Sequence, residues 1–243
     1  MARRRFFVPE IRRGTAELTG PDAEHLVRVL RAEPGQIYEL SDNQNLYLAR
    51  IEVARKSLVA FRVLEDLPSP PPSVHVTLVA ALFKFDRFEL LLEKATELGV
   101  AAIQPFEAIR TERGLAQASL KRSSRWQKIA VEASQQSRRL RLPIIKPSVP
   151  FATALQSLAN VRLLLDENPD VLPLLQVLPA ERSLSDRVAL LLGPEGGWTE
   201  EERKHAIDAG WSPCSLARTV LRAETAGIAA LAVIEAAWNC AGS

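Results

Sequence analysis

The spacing of apolar and polar residues changes character about a third of the way along the chain. Before residue 66 the apolar positions fall in short β-type runs at 4–8, 36–40, 46–53 and 58–64. Asp42, Asn43, Gln44 and Asn45 separate two of these runs and predict a hairpin turn. One short helix is expected over 22–30, carrying His25 and Arg28. After Val74 the pattern becomes an alternation of strands and helices, with strands expected at 74–82, 101–106, 161–165, 188–192 and 213–216.

Helical spacing is clearest in three places. Asp86 and Glu89 stand as a capping box before a helix ending at Gly99, with Phe88, Leu91, Leu92 and Ala95 on one face. A helix over 122–137 puts Trp126, Ile129, Ala130 and Ala133 on one stripe and leaves Arg122, Arg125 and Lys128 largely outside it. Thr199 and Glu202 form a second capping box directly after a glycine-rich loop. The pattern therefore predicts a small β-barrel-like domain over 1–66 and a proline-rich stiff linker over 67–73. An α/β domain with a mostly parallel sheet is expected over 74–243.

Composition adds little, but charge placement adds more. The 243 residues are 47% hydrophobic and 25% charged, as in ordinary globular proteins. No apolar run reaches a membrane span; the longest, 226–233, is alanine-rich and reads as a buried helix. The N-terminus has no apolar signal core behind its arginines, so a cytoplasmic protein is expected. Cys214 and Cys240 have no metal-ligand spacing and read as reduced structural thiols, and no His/Cys/Asp cluster suggests a metal. The net charge of +2 conceals a local +8 over residues 110–146. A second basic cluster (Arg3, Arg4, Arg5, Arg12, Arg13) lies at the N-terminus, and together they favour a polyanionic partner over a merely solvated helix face.

The chemistry is concentrated between 188 and 226. A buried strand, 188–192, runs into Gly193, Pro194, Glu195, Gly196 and Gly197, and then into the capped helix. Strand, glycine loop and helix start together build a cradle for a nucleotide-like ligand. The loop has neither the lysine of a phosphate-binding P-loop nor the spacing of a dinucleotide fingerprint. Glu195, Glu200, Glu201 and Glu202 surround it with carboxylates, which disfavours a triphosphate. A neutral or cationic ligand fits better, such as an adenosine carrying a sulfonium; the competing reading is a plain strand-to-helix turn.

The glycine loop, together with Leu221-Arg222-Ala223-Glu224-Thr225-Ala226, resembles the SPOUT superfamily. Within it the chain is similar to the bacterial 16S ribosomal RNA uracil-N3 methyltransferases. Arg5-Phe6-Phe7-Val8-Pro9 with the stretch from His25 to Arg31 resembles their PUA-like RNA-binding domain. The stretch from Glu93 to Val100, and Trp126 to Ile129 leading to Gln136-Ser137-Arg138-Arg139, resemble two further signatures. Three positions depart from the pattern: Gln135-Gln136 where Glu-Gln is usual, and Ala217 and Thr219 where glycine and arginine are usual.

The resemblance implies a C-terminal trefoil knot, a homodimer, S-adenosyl-L-methionine as cofactor, and 16S rRNA in the small ribosomal subunit as substrate. It implies a cofactor site made of Leu165, Leu192, Gly193, Pro194, Glu195, Gly196, Gly197, Leu216, Leu221 and Arg222, with Thr225 adding a hydroxyl. Arg222 is the implied catalytic residue, orienting cofactor carboxylate or substrate; the alternative is a salt bridge to Glu224 or Glu195. Glu195 is either a base or a residue that fixes the loop, and the base is unassigned. RNA contacts are implied for Arg3, Arg4, Arg5, His25, Arg28, Arg31, Lys84, Arg125, Arg138 and Arg139. Another SPOUT reaction, such as ribose 2′-O-methylation, and a non-catalytic binding protein remain the alternatives.

Overall fold

The computed structural model describes residues 4–168 and 170–240, so Arg3, an expected RNA contact, lies outside the described residues. The chain forms two compact units. The first takes residues up to Pro71 together with Ser134–Leu142, and the second takes Pro72–Ala133 with the chain from Pro143 onward. No helix among the described residues is long and apolar enough to cross a membrane.

In the first unit the order is β1 (Arg5–Phe7), β2 (Thr15–Thr19), α1 (Gly20–Arg28), β3 (Ile37–Ser41), β4 (Leu46–Arg55) and β5 (Leu58–Leu67). The strands form one five-stranded sheet in the order β1-β3-β4-β5-β2. β1 and β3 are parallel and the other neighbours antiparallel. Irregularities between Leu48 and Ala49 and between Ile51 and Val53 break the β4–β5 register, as bulges that curl a sheet do. The result is a curled half-barrel around Phe6, Leu18, Leu26, Leu40, Ile51 and Phe61. At the expected hairpin, Asp42 Oδ1 accepts from the Gln44 and Asn45 amides at 2.9 and 2.7 Å, while Asn43 takes a φ of 71°. That is the local side-chain bond for which Asp and Asn are favoured in turns.

Arg5 sits inside this unit rather than on its surface. It is 7% exposed, and its Nε and Nη2 donate to Glu39 Oε2 at 3.1 and 2.8 Å. Arg138, from the returning segment, pairs with the other Glu39 oxygen, and Arg5 also donates to the Arg138 carbonyl. Ser41 Oγ donates to the Leu140 carbonyl, and the Leu142 amide donates to Asn43 Oδ1 at 3.0 Å. The segment Ser134–Leu142 therefore completes the first unit through hydrogen bonds that join residues far apart in sequence.

The second unit begins with β6 (His75–Ala81), α2 (Phe85–Glu97), β7 (Ala102–Glu107), α3 (Leu115–Leu120) and α4 (Ser123–Gln136), whose last turn is counted with the first unit. It continues with β8 (Ile144–Ile145), β9 (Val149–Pro150), α5 (Phe151–Ala154), β10 (Val161–Leu165) and α6 (Leu174–Val177). It ends with β11 (Arg187–Leu192), α7 (Glu200–Asp208), β12 (Ser212–Cys214) and α8 (Ala223–Asn239). The seven-stranded sheet runs β12-β10-β11-β6-β7-β8, with β9 also on β7, and every pair is parallel. One face packs Leu78, Leu91, Leu190, Leu231 and Ile234; the other packs Val79, Phe106, Leu164, Leu191 and Trp211. Burial on both faces is why β11 reads as a continuous apolar run with no alternation.

Local signals succeed unevenly. The Thr199–Glu202 capping box is present in full. The Asp86–Glu89 box is not: α2 starts at Phe85 after Lys84 with no side-chain cap. Glu89 instead accepts from Arg122 Nη1 at 2.8 Å and Arg125 Nε at 2.7 Å, so tertiary ion pairs displace the local bond.

Replacing Glu39 with alanine leaves two guanidiniums without their shared carboxylate, one of them buried. The expected loss is about 3 kcal/mol in urea denaturation. Arg138→Ala, at a half-exposed position, is expected to cost clearly less.

Candidate active site

Three neighbouring strands of the second unit, β10, β11 and β12, end at Leu165, Leu192 and Cys214. The loops that follow them enclose a cleft of about 280 Å³, closed on a further side by Arg87 of α2 and by Ala223 and Ala226 of α8. A crevice outside the carboxyl ends of parallel strands is the usual ligand position in an α/β sheet. Of the expected cofactor residues, Leu165, Leu192, Gly193, Pro194, Glu195, Gly197, Leu216, Leu221 and Arg222 line this cleft. Gly196 and Thr225 do not: Gly196 gives its carbonyl to Arg110 Nη1 at 2.7 Å, and Thr225 is exposed on α8.

Packing explains why the loop carries these glycines. Trp198 is buried and donates from Nε1 to the Leu165 carbonyl at 2.8 Å. A Cβ on Gly193 would stand 2.8 Å from the Trp198 ring, so the indole occupies the space a side chain there would need. Gly197 has a φ of +70°, and a Cβ on it would lie 2.4 Å from Glu167 Oε1. Phe106 stacks on Trp198 at 6.2 Å and 7° between planes, with Phe151 behind at 5.9 Å. Glu202, 1% exposed, holds the far side of the loop: it completes the cap and also accepts from the Ile109 amide at 2.8 Å. Sequence reasoning passed over Trp198, although a tryptophan immediately after Gly-Gly in a ligand loop was a usable signal.

The cleft is lined by three carboxylates, Asp166, Glu167 and Glu195, and by two cations, Arg87 and Arg222. Asp166 is held by Arg203 Nε at 2.8 Å and by the Asn168 amide at 3.0 Å. Arg87 donates to Glu195 and stands 4.0 Å from Glu224. Arg87 thus makes the ion pairs expected as the alternative for Arg222, whose exposed side chain has no hydrogen-bond or ion-pair partner among the described residues. Glu195 is engaged by Arg87. No group of three or more His, Cys, Asp or Glu suited to a metal occurs among the described residues.

The expected RNA residues divide between the units. Arg4, His25 and Arg31 are exposed in the first unit, and Arg28 pairs with Glu24 at 2.6 Å. Arg5 is buried and ion-paired, which removes it from any RNA-facing surface, and Arg138 is committed to Glu39. Arg139 donates from Nε to the Arg141 carbonyl at 3.1 Å. In the second unit Lys84 is exposed at the start of α2, while Arg125 pairs with Glu89.

Gly193→Ala is expected to displace the Trp198 ring and cost about 1–3 kcal/mol in urea denaturation, the range for overpacking a core. Burial pushes the Cys214 thiol up to about 12. Its neutral form is favoured through the ordinary thiol range, so the associated stability is full below about 9 and falls as pH rises from there to about 12. At pH 8 a thiol reagent should label exposed Cys240 in the native protein and reach Cys214 only after unfolding.

A family model described as an RNA methyltransferase domain matches residues 70–235, and one described as an RNA methyltransferase PUA domain matches residues 18–64. The ribosomal RNA small subunit methyltransferase E of Synechocystis sp. is 34% identical, with 97% of this chain and 78% of the relative covered. The protein of that name from Bacillus subtilis is 29% identical over 90% of this chain and 89% of its own. Among solved structures, ribosomal RNA small subunit methyltransferase E from Neisseria gonorrhoeae bound to S-adenosyl methionine superposes with a TM-score of 0.86 at 31% identity, covering 98% of each chain. A Legionella pneumophila methyltransferase in complex with the same cofactor gives 0.88 at 29% identity and the same coverage. With its glycine-loop cleft at the strand ends, its half-barrel N-terminal unit and relatives matched along nearly its full length, the chain belongs to the SPOUT-type RNA methyltransferase family with an N-terminal PUA domain.

Proposed function

We propose that this protein transfers the methyl group of S-adenosyl-L-methionine to N3 of a uridine in 16S ribosomal RNA, acting as a homodimer on the small ribosomal subunit. The observation that carries the reading is the cleft itself. Leucines 165, 192, 216 and 221 offer apolar surface for an adenosine, next to backbone at Gly193 and Gly197. Asp166, Glu167 and Glu195 suit a ligand bearing cationic sulfonium and ammonium groups, and Arg222 suits its carboxylate. A triphosphate would meet those same carboxylates as repulsion.

When bound, the cofactor supplies a methyl carbon already activated by its sulfonium, so the chain's task is alignment and proton removal. The Trp198 staple and the Glu202 cap hold the loop before any ligand arrives, which reduces the ordering cost of binding. Arg222, exposed and without a side-chain partner among the described residues, is the group available to orient either the cofactor carboxylate or the uracil. The uracil must be unpaired, because N3 lies on its Watson–Crick edge. Arg4, His25, Arg28 and Arg31 of the PUA unit are our choice for phosphate contacts, which give affinity rather than choice of uridine.

Incubation with labelled S-adenosylmethionine and small subunits lacking base methylation, followed by nucleoside analysis, tests the reading. The expected product is 3-methyluridine; a ribose-methylated nucleoside would replace the proposed reaction, and no transfer with cofactor bound would remove it. Arg222→Ala is expected to lower transfer about 100-fold, in line with removal of one preorganised charge contact.

A further inference from the structure

One residue at the cleft has no part in the reading above. Arg87, in the first turn of α2, lies in the cleft wall. Its Nη1 donates to Glu195 of the glycine loop, and its Nε lies 4.0 Å from Glu224 Oε1 in the first turn of α8. Three elements that meet at the cleft are thereby tied through one guanidinium. Glu224 is buried, and its Oε2 has no hydrogen-bond partner among the described residues. An uncompensated carboxylate in such a position is costly, and Arg87 is the cation facing it. The planar, several-edged guanidinium can serve two carboxylates at once, which a lysine's single ammonium does less well.

Loss of this guanidinium has two separable effects. The loop would lose its tie to α8, weakening every ligand that uses the loop. Two carboxylates beside the cleft would also lose their countercharge, favouring a cationic ligand over a neutral one. Substrate and product differ in this respect: S-adenosylmethionine carries a sulfonium, whereas S-adenosylhomocysteine carries a neutral thioether. Their amino-acid ends and adenosines are the same. The ratio of their affinities therefore isolates the charge at sulfur.

We propose that Arg87 is a positioning residue for methyl transfer. It holds the glycine loop's Glu195 to the first turn of α8, and by balancing Glu195 and Glu224 it limits the cleft's preference for the sulfonium over the thioether. The inference rests on the cofactor reading given above and assigns Arg87 no contact with RNA.

The test is calorimetric titration of both ligands into the full chain, unmutated and as Arg87→Gln, Arg87→Lys, Glu195→Gln and the Arg87→Gln/Glu195→Gln double variant. Arg87→Gln is expected to weaken both ligands while raising the preference for S-adenosylmethionine about fivefold, the scale of one partly screened charge several ångströms away. Arg87→Lys should return that preference toward the unmutated value without restoring full affinity. The double variant should bind no more weakly than Arg87→Gln alone, because the tie is already cut, and its preference should return toward that of the unmutated chain. An unchanged preference in Arg87→Gln overturns the electrostatic role. Losses from the two single substitutions that add in full overturn the tie. If the unmutated chain binds neither ligand, the cofactor reading falls and this inference with it. A merely structural role for Arg87 would change both affinities together and leave their ratio fixed.

Discussion

The bond from the Trp198 indole to the Leu165 carbonyl is the constraint on which the cleft depends. It crosses from the loop after β11 to the end of β10, so the two strand ends are fixed to each other by a side chain as well as by the sheet. The glycine at 193 follows from it, since the indole occupies the volume of a Cβ. So does the packing of buried Phe106 and partly buried Phe151 against the indole, which makes the loop part of one core layer rather than a loose connection. Glu202 fixes the opposite end of the loop through the cap and the Ile109 amide. A loop held at both ends by buried groups presents its backbone to a ligand in one arrangement.

Charge around that frame is ordered by pairing rather than by number. The +8 segment seen in the sequence is partly internal. Arg122 and Arg125 serve the buried carboxylate of Glu89, Arg122 also lies over the Phe85 ring at 4.8 Å, and Arg138 serves Glu39. Those cations hold their own units together. At the cleft the same principle separates two arginines of equal formal charge: Arg87 pairs with Glu195 and Glu224, and Arg222 has no ion-pair partner among the described residues. A free arginine in a cleft lined by carboxylates is the group with charge to offer a ligand.

Much of this was legible in the residues, and the part that was not has a common cause. The parallel sheet followed from apolar runs such as 188–192 alternating with helical stripes, and Thr199–Glu202 was readable because both partners are local. The glycine loop and the stretch from Leu221 to Ala226 supply seven of the nine expected residues that line the cleft, and Leu165 and Leu216 came from the resemblance. Asp86 and Glu89 misled because the same local pattern competes with distant arginines that no spacing rule sees. Arg5 looked like part of a basic tail until Glu39 and the Arg138 carbonyl were brought to it by the fold. Arg87 escaped notice for the same reason: its partner Glu195 is 108 positions away. β2 was missed because Thr15–Thr19 has only two buried positions, and its pairing with β5, not its composition, makes it a strand.

The glycine loop and the start of α8 are distant in sequence, and packing brings them together. Gly227, one turn into α8, approaches so closely that a Cβ there would stand 2.8 Å from Leu91 of α2 and 3.0 Å from Leu192 at the end of β11. That contact sets the distance between α8 and the strand from which the glycine loop departs. Arg222, at the N-cap of α8, is therefore held to the loop by a helix–strand contact made without any polar group. Glycine normally weakens a helix interior by about 1 kcal/mol, and here the close approach it permits is what offsets that cost. The geometry of the cleft is thus specified twice, by the Trp198 hydrogen bond on one wall and by an absent methyl group on the other.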